Sequence, residues 1–281
     1  MSRQIGLFMR EDSRYIRDII AGIQSYAPMG KDWRFHLFTP VAEVGRTLAQ
    51  RGLDGVIAHF DSDALYESLE ACSCPIISVG SLLEQPSCFR VVADDEIVGR
   101  RAAEYLLHTH AQAFAFVGYR DWYFSRVRHE AYARTIFKAR RSDVPVFELE
   151  PQTGRSPAAR DDRVDAELLA WLGRHKTRPL AVFCANDLLG MRVVNLCQAA
   201  NLRVPHEILV LGVDNDPVYC SLCMPELSSI ELPLKQIGFE AAALLDQLML
   251  TNAGKSLSLP PVDVICRGSS ELTRSRHPLV Q

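Results

Sequence analysis

The chain lacks an excess of charge of either sign: 31 Lys and Arg against 34 Asp and Glu leave a net −3 over 281 residues. A balance so near zero gives the chain as a whole no electrostatic footprint for nonspecific contact with nucleic acid. It also lacks any apolar run of about 18 residues, the length that crosses a bilayer, which excludes a helical membrane span. Met1 leads directly into Ile5-Gly6-Leu7-Phe8-Met9 with no long apolar leader or small-residue cleavage site, so the chain reads as cytoplasmic. Neither G-x-G-x-x-G nor G-x-x-x-x-G-K-[ST] is present, so nucleotide phosphates have no glycine-rich cradle and no cofactor is expected. H-E-x-x-H and G-x-S-x-G are missing too, and the eight histidines show no ligand spacing. The expectation is a binding protein with no metal and no enzymatic chemistry.

The eight cysteines are scattered, several within apolar runs such as Phe183-Cys184-Ala185, as buried reduced thiols are. Cys220-Ser-Leu-Cys223 has the spacing of a metal or redox pair, but no second pair stands at finger spacing. Two basic features read as solvated helix ends: His108 with His110, and Lys138-Ala-Arg140-Arg141.

Short β-rich runs alternate with helical periodicity from one end to the other. The runs are 5–9, 34–39, 55–58, 75–79, 90–92, 113–117, 144–149, 180–184 and 208–211, and apolar residues recur at helical spacing between them, as in Ile16-Ile19-Ile20-Ile23. This predicts an α/β protein of doubly wound parallel sheets, and the length predicts two such units. Ligands of doubly wound sheets sit outside the carboxyl ends of the strands. The loops there carry Arg10 to Tyr15, Gly80-Ser81, Asp94-Asp95, Tyr119 to Tyr123, Asn186-Asp187 and Asp214-Asn215-Asp216. Carboxylates, amides, arginines and aromatics on neighbouring loops suit a polyol, whose hydroxyls take bidentate partners while its ring face packs on an aromatic. Each Asp or Asn taken alone also reads as a helix cap or a turn residue.

Ala185-Asn186-Asp187-Leu-Leu-Gly190, Leu202-Arg-Val204-Pro205, Ile208 to Asn215 and Pro225-Glu-Leu-Ser-Ser-Ile230 stand in an order that resembles the LacI/GalR and periplasmic-binding-protein type I family. Gly52-Leu-Asp54-Gly55-Val-Ile57, Val79-Gly80, Asp94 to Gly99 and Arg128 before Ala131-Tyr132 also fall where that family has its motifs, so the resemblance covers about residues 3 to 270. The blocks around Tyr15 to Ile23, Asp54 to Asp61, Phe114 to Gly118 and Gly212 to Asn215 are similar to the effector domain of XylR-type xylose operon regulators. That branch carries an AraC-type pair of helix-turn-helix units after its sugar domain. Here Pro261 to Ser270 resembles the closing strand and His277 to Gln281 the segment leading into the DNA-binding part, so the chain is expected to stop short of that part and not to reach an operator by itself.

The resemblance implies a lobe of residues 1–110 plus 231–251, another of 111–230 plus 252–281, three crossing strands, and a ligand cleft between the lobes that closes on a sugar, with a pentose such as xylose as the leading candidate. Carried over position by position, it implies ligand contacts from Arg128, Asn186, Asp214 and Asp94, and by block from Tyr15, Arg17 and Ser81, with Trp122 placed only by its loop. Arg128→Ala is expected to abolish binding and leave the fold intact. Family members pair, so a homodimer is implied as well. The reading is the ligand-sensing domain of a transcription regulator of sugar catabolism; a sugar-binding protein of a transport system is the alternative on the same fold, and an enzyme on this scaffold is the third.

Overall fold

The computed structural model describes residues 2–10, 13–27, 32–38, 52–70, 72–84, 87–150 and 162–271. Residues 11 and 12 of the first candidate loop and the segment His277 to Gln281 lie outside them. The chain divides into two compact units, one of Met1–Asp94, Trp122–Phe124 and Pro233–Pro260, the other of Asp95–Asp121, Ser125–Leu232 and Pro261–Gln281.

The first unit is built on a parallel six-stranded sheet. Its strands are β1 (Arg3–Phe8), β2 (Trp33–Phe38), β3 (Gly55–Ala58), β4 (Ile76–Ser78), β5 (Phe89–Ala93) and β11 (Leu257–Leu259), in the order β11-β5-β4-β3-β1-β2. All four residues of β3 are buried, as in a parallel strand covered on both faces. Helices α1 (Arg14–Tyr26), α2 (Asp63–Glu70) and α8 (Leu234–Thr251) belong to this unit. Ser13 caps α1 by accepting from the Ile16 amide at 3.3 Å, and Ile16, Ile19, Gly22 and Ile23 form its buried face. Asp246 of α8, 5% exposed, accepts from Arg3 at 3.3 Å and from the Tyr26 hydroxyl at 3.0 Å, tying α8 to β1 and α1.

Helices α1 and α8 cross at glycines on both sides. A Cβ on Gly22 would stand 2.0 Å from the Lys235 carbonyl oxygen, and one on Gly238 would stand 2.0 Å from that of Ile19. Only two bare backbones reach this separation.

The second unit repeats the plan in the order β12-β10-β9-β8-β6-β7, with β6 (Ala113–Tyr119), β7 (Val146–Leu149), β8 (Leu180–Cys184), β9 (Ile208–Val213), β10 (Ser228–Glu231) and β12 (Asp263–Ile265). Five strands are parallel, and β12 closes the edge antiparallel to β10. Its helices are α3 (Asp95–Leu107), α4 (Tyr123–Arg140) from Ser125 onward, α5 (Asp162–Arg174), α6 (Asp187–Ala199) and α7 (Pro217–Ser221). No helix among the described residues is long and apolar enough to cross a membrane.

The α/β class and two doubly wound sheets agree with the sequence reading; the unit boundaries differ from it. The first boundary, expected after residue 110, falls after Asp94: Asp95 pairs with Arg128, and the Tyr105 hydroxyl bonds the Ser270 hydroxyl at 2.7 Å. The boundary expected after residue 251 falls after Pro260, because Leu257–Leu259 pairs in parallel with Val91–Ala93 of the first sheet.

Gly238→Ala is expected to cost at least about 2 kcal/mol, since the methyl meets backbone that cannot step aside. Gly173→Ala, with nothing within 4 Å of the added carbon in helix α5, is expected to stabilise by about 0.5–1 kcal/mol. Urea unfolding of both variants beside the parent chain checks the contrast.

Candidate functional site

The second unit gathers its polar groups at the carboxyl ends of β6, β8 and β9. Strand β8 ends at Cys184, Asn186 caps the following helix α6, and its Oδ1 accepts from the Leu189 amide at 3.1 Å. The cap reading therefore holds for this side chain, and capping occupies Oδ1 and not the amide nitrogen. Tyr119, at the end of β6, is hydrogen-bonded to Asn186, and burial drives its hydroxyl pKa upward.

Strand β9 runs out into Asp214 and Asn215, both in left-handed backbone, with φ of 109° and 50°. A non-glycine residue at φ 109° stores strain, and such strain persists only where its surroundings over-determine it. Here four hydrogen bonds do so. The Asp214 amide donates to the Ile230 carbonyl at 2.9 Å, the Asn215 amide to Ser229 Oγ at 3.0 Å, the Asp216 amide to Asp187 Oδ2 at 2.7 Å, and Arg267 Nη2 to Asn215 Oδ1 at 2.6 Å.

Asp187, with 0% exposure, is the hub of this turn. Besides the Asp216 amide, its carboxylate accepts from Ser229 Oγ at 2.6 Å and from the Cys220 thiol at 3.5 Å. Gly212 makes room for it, since a Cβ there would lie 2.2 Å from Asp187 Oδ1. Burial first, and then the nearby Asp214 charge, push the Asp187 pKa well above the usual carboxylate range, against the pull of the Ser229, Asp216 and Cys220 donors. Cys220 and Cys223 are buried free thiols that bond this carboxylate and the backbone, and burial raises both pKa values, as in buried reduced thiols.

Arg128, on α4, is 4% exposed. Its Nε donates to Asp95 Oδ1 at 2.8 Å and its Nη1 to the Ala185 carbonyl at 2.6 Å, one residue before Asn186. Asp95, next to the Asp94 that the resemblance implies as a ligand contact, is the carboxylate that faces this guanidinium. Asp94 ends the first unit, half-buried, with its amide bonded to the Leu259 carbonyl at 2.7 Å.

The first unit has its own set at the ends of β1 and β4. The Tyr15 hydroxyl donates to the Val79 carbonyl at 3.3 Å, and its ring meets His59 edge-on at 5.7 Å. Ser81 is 8% exposed; its carbonyl accepts from the Phe124 amide at 2.8 Å, and that of Leu82 accepts from Tyr123 at 2.9 Å. These two bonds hold the first turn of α4 and bring half-buried Trp122, stacked at a tilt on Phe124 at 5.7 Å, to the same loop. Arg17 lies on the exposed side of α1.

A family model described as the periplasmic binding protein-like domain matches residues 103–270. The chain belongs to that family. A second model, the XylR N-terminal domain, matches residues 4–95. The chain is homologous to xylose operon regulatory proteins. It is 25% identical to the one of Haemophilus influenzae over 99% of this chain and 73% of the relative, and 24% identical to that of Escherichia coli K12 over 99% and 72%. Among solved structures, a xylose-binding transcription activator xylR matches with a TM-score of 0.81 at 23% identity, over 98% of this chain and 71% of that one. A LacI-family regulator of Enterococcus faecium with bound ribose matches with a TM-score of 0.75 at 20% identity, over 95% and 98%.

The burial of Arg128 revises one expectation drawn from the sequence. Arg128→Ala leaves Asp95 buried without its cation, which costs about 3–5 kcal/mol, so the change is expected to lower stability along with any ligand affinity. The double variant Arg128→Met with Asp95→Leu is expected to recover most of that loss in thermal unfolding. For Asp187, the raised pKa means that between the unfolded-state value near 4 and the folded value only the folded chain holds the proton, so stability falls as pH rises through that window. Asp187→Asn is expected to flatten this slope in urea unfolding at pH 4.5, 6 and 7.5.

Proposed function

We propose that the chain is the ligand-sensing domain of a transcription regulator of sugar catabolism and that it binds a monosaccharide, a pentose such as xylose, without turning it over. The observation that carries the reading is the strained Asp214–Asn215 turn, held by the buried Asp187 beside Asn186 and Tyr119. The fold spends strain and a buried carboxylate to hold Asp214 in one direction. A carboxylate, an amide and a buried arginine at strand ends offer the bidentate, charge-assisted bonding that adjacent sugar hydroxyls take. In the first unit, Tyr15 and Trp122 supply aromatic faces of the kind that pack on a sugar ring, with Ser81, Asp94 and Arg17 as further polar contacts. Homology to xylose operon regulators, and a ribose-bound structure of the same fold, support the choice of a pentose.

Titration calorimetry with xylose, ribose, arabinose and glucose tests the reading, with binding at millimolar affinity or better expected for at least one pentose. The discriminating variant is Asp214→Asn: asparagine tolerates positive φ, so the turn survives, while the loss of a charged acceptor is expected to weaken binding about 10- to 100-fold with little change in unfolding temperature. No heat or thermal shift with any of these sugars would overturn the proposal.

A further inference from the structure

The amino edge of the second sheet, opposite the strand ends that carry Asn186 and Asp214, concentrates positive charge that the sequence had dispersed. The segment before β7 holds Lys138, Arg140 and Arg141, and the segment before β8 holds Arg174, Lys176 and Arg178. Strand order places β6 between β7 and β8, so all three segments open on one edge, and the one before β6 adds His108 and His110. Hydrogen bonds fasten the row: Gln112 amide to Pro179 carbonyl at 2.8 Å, Phe116 amide to Pro145 carbonyl at 2.9 Å, and Leu180 amide to Glu207 carbonyl at 2.9 Å.

Across residues 138–145 and 174–179 there are six cations and one carboxylate, Asp143, and the segment before β9 adds Arg203 paired with Glu207, whose charge also acts on Arg178. Among the described residues none of the six has a carboxylate within ion-pairing distance. Lys176 and Arg178 donate to the last carbonyls of α5, Gly173 at 3.2 Å and Leu172 at 2.8 Å, which offsets part of a helix dipole and leaves their formal charge in place. Arg178 Nη1 is buried without a hydrogen-bond partner. His175, between these residues, has its pKa lowered by burial and then by Arg178 and Arg174, an independent sign of the local positive field. Lys138, Arg140, Arg141, Arg174 and Lys176 are exposed.

We propose that this edge is a second binding surface, which takes the phosphate backbone of double-stranded DNA without reading its sequence. Strands β7 and β8 flank β6, so their cationic segments lie roughly 10 Å apart, and the row from β7 to β9 runs roughly 14 Å. With consecutive phosphates of one strand roughly 7 Å apart along the backbone, such a row faces about three phosphates. A compact row of exposed cations suits a polyphosphate backbone. The choice of DNA over another polyanion rests on the regulatory reading above; the existence of the surface does not.

The test is fluorescence anisotropy of the 281-residue chain with a labelled 24-base-pair duplex of arbitrary sequence, at several salt concentrations. Binding with a dissociation constant on the order of 10⁻⁵ M at low salt is expected, weakening linearly in log salt. Arg140→Glu with Arg141→Glu and Lys176→Glu is expected to weaken binding at least tenfold and to reduce the salt slope by about 0.9 per cation, about 2.7 in all. Lys255→Glu, an exposed cation of the other unit, is expected to leave both unchanged. Circular dichroism and sugar calorimetry on the triple variant show whether it stays folded and keeps its ligand, so a failure here is separable from a failure of the sensing function. No binding by the parent chain at low salt would overturn the proposal. So would a folded triple variant that binds within twofold of the parent, or tighter binding to polyglutamate or to phosphatidylserine vesicles than to the duplex.

Discussion

Asp187 enters helix α6 at its first position with no access to solvent, and its carboxylate answers donors from a strand, a turn and a short helix. A buried carboxylate is costly to hold unless its lone pairs are met, and the helix amino terminus adds a favourable dipole. Much else at this end of the sheet follows from that requirement. Gly212 carries no side chain because the Oδ1 oxygen occupies its space, and Ser229 points inward because the same oxygen needs a donor. The Asp216 amide reaches Oδ2 after the chain has turned through two left-handed residues, so the strained turn and the buried Asp187 hold one another in place.

A second buried charge works in the same way between helices α3 and α4. Arg128 and Asp95 are both nearly closed off from solvent, and the Ala185 carbonyl takes another guanidinium proton. The pair joins the start of α3, the first third of α4 and the end of β8, which is why α3 is part of the second unit. Because Ala185 precedes Asn186, the arginine also fixes the backbone from which the cap projects. Its role in the described residues is to set the ends of two elements as well as to present charge.

The strands most legible in the sequence were those buried on both faces: Gly55–Ala58 and Leu180–Cys184 coincide with their runs residue for residue. Such strands announce themselves by composition. The three-residue strand Leu257–Leu259 does not, because its identity lies in its partner Val91–Ala93, and local periodicity says nothing of a strand so much earlier in the chain, while Asp263–Ile265 was legible only through the resemblance of Pro261 to Ser270 to a closing strand. Loss of that pairing information is also why the boundary expected after residue 251 falls after Pro260. At the candidate site the loops were found by topology and the residue types by chemistry. That Asp95 meets Arg128 was beyond both, since adjacent residues at a strand-to-helix junction face different directions and only the folded chain shows which one does so. Ser229 and Arg267 carry no motif and gain their roles only through the Asp214–Asn215 turn.

The charge segregation of the second unit has its origin in the fold. In a doubly wound sheet every helix begins beside a carboxyl strand end and finishes beside an amino strand end, so the positive ends of the helix dipoles gather on one edge and the negative ends on the other. Acids and amides therefore accumulate at the first edge, as Asn186, Asp187, Asp214 and Asp216 do, and bases at the second, as Lys138, Arg140 and Arg174 do in the last turns or at the ends of α4 and α5. Beyond the helix ends, Lys176 and Arg178 reach back to the last carbonyls of α5, and Arg141 follows α4. A net charge of −3 for the whole chain averages over these two edges and conceals both. The quantity that bears on partners is the charge of an edge, and an edge is assembled from segments that lie tens of residues apart in the sequence.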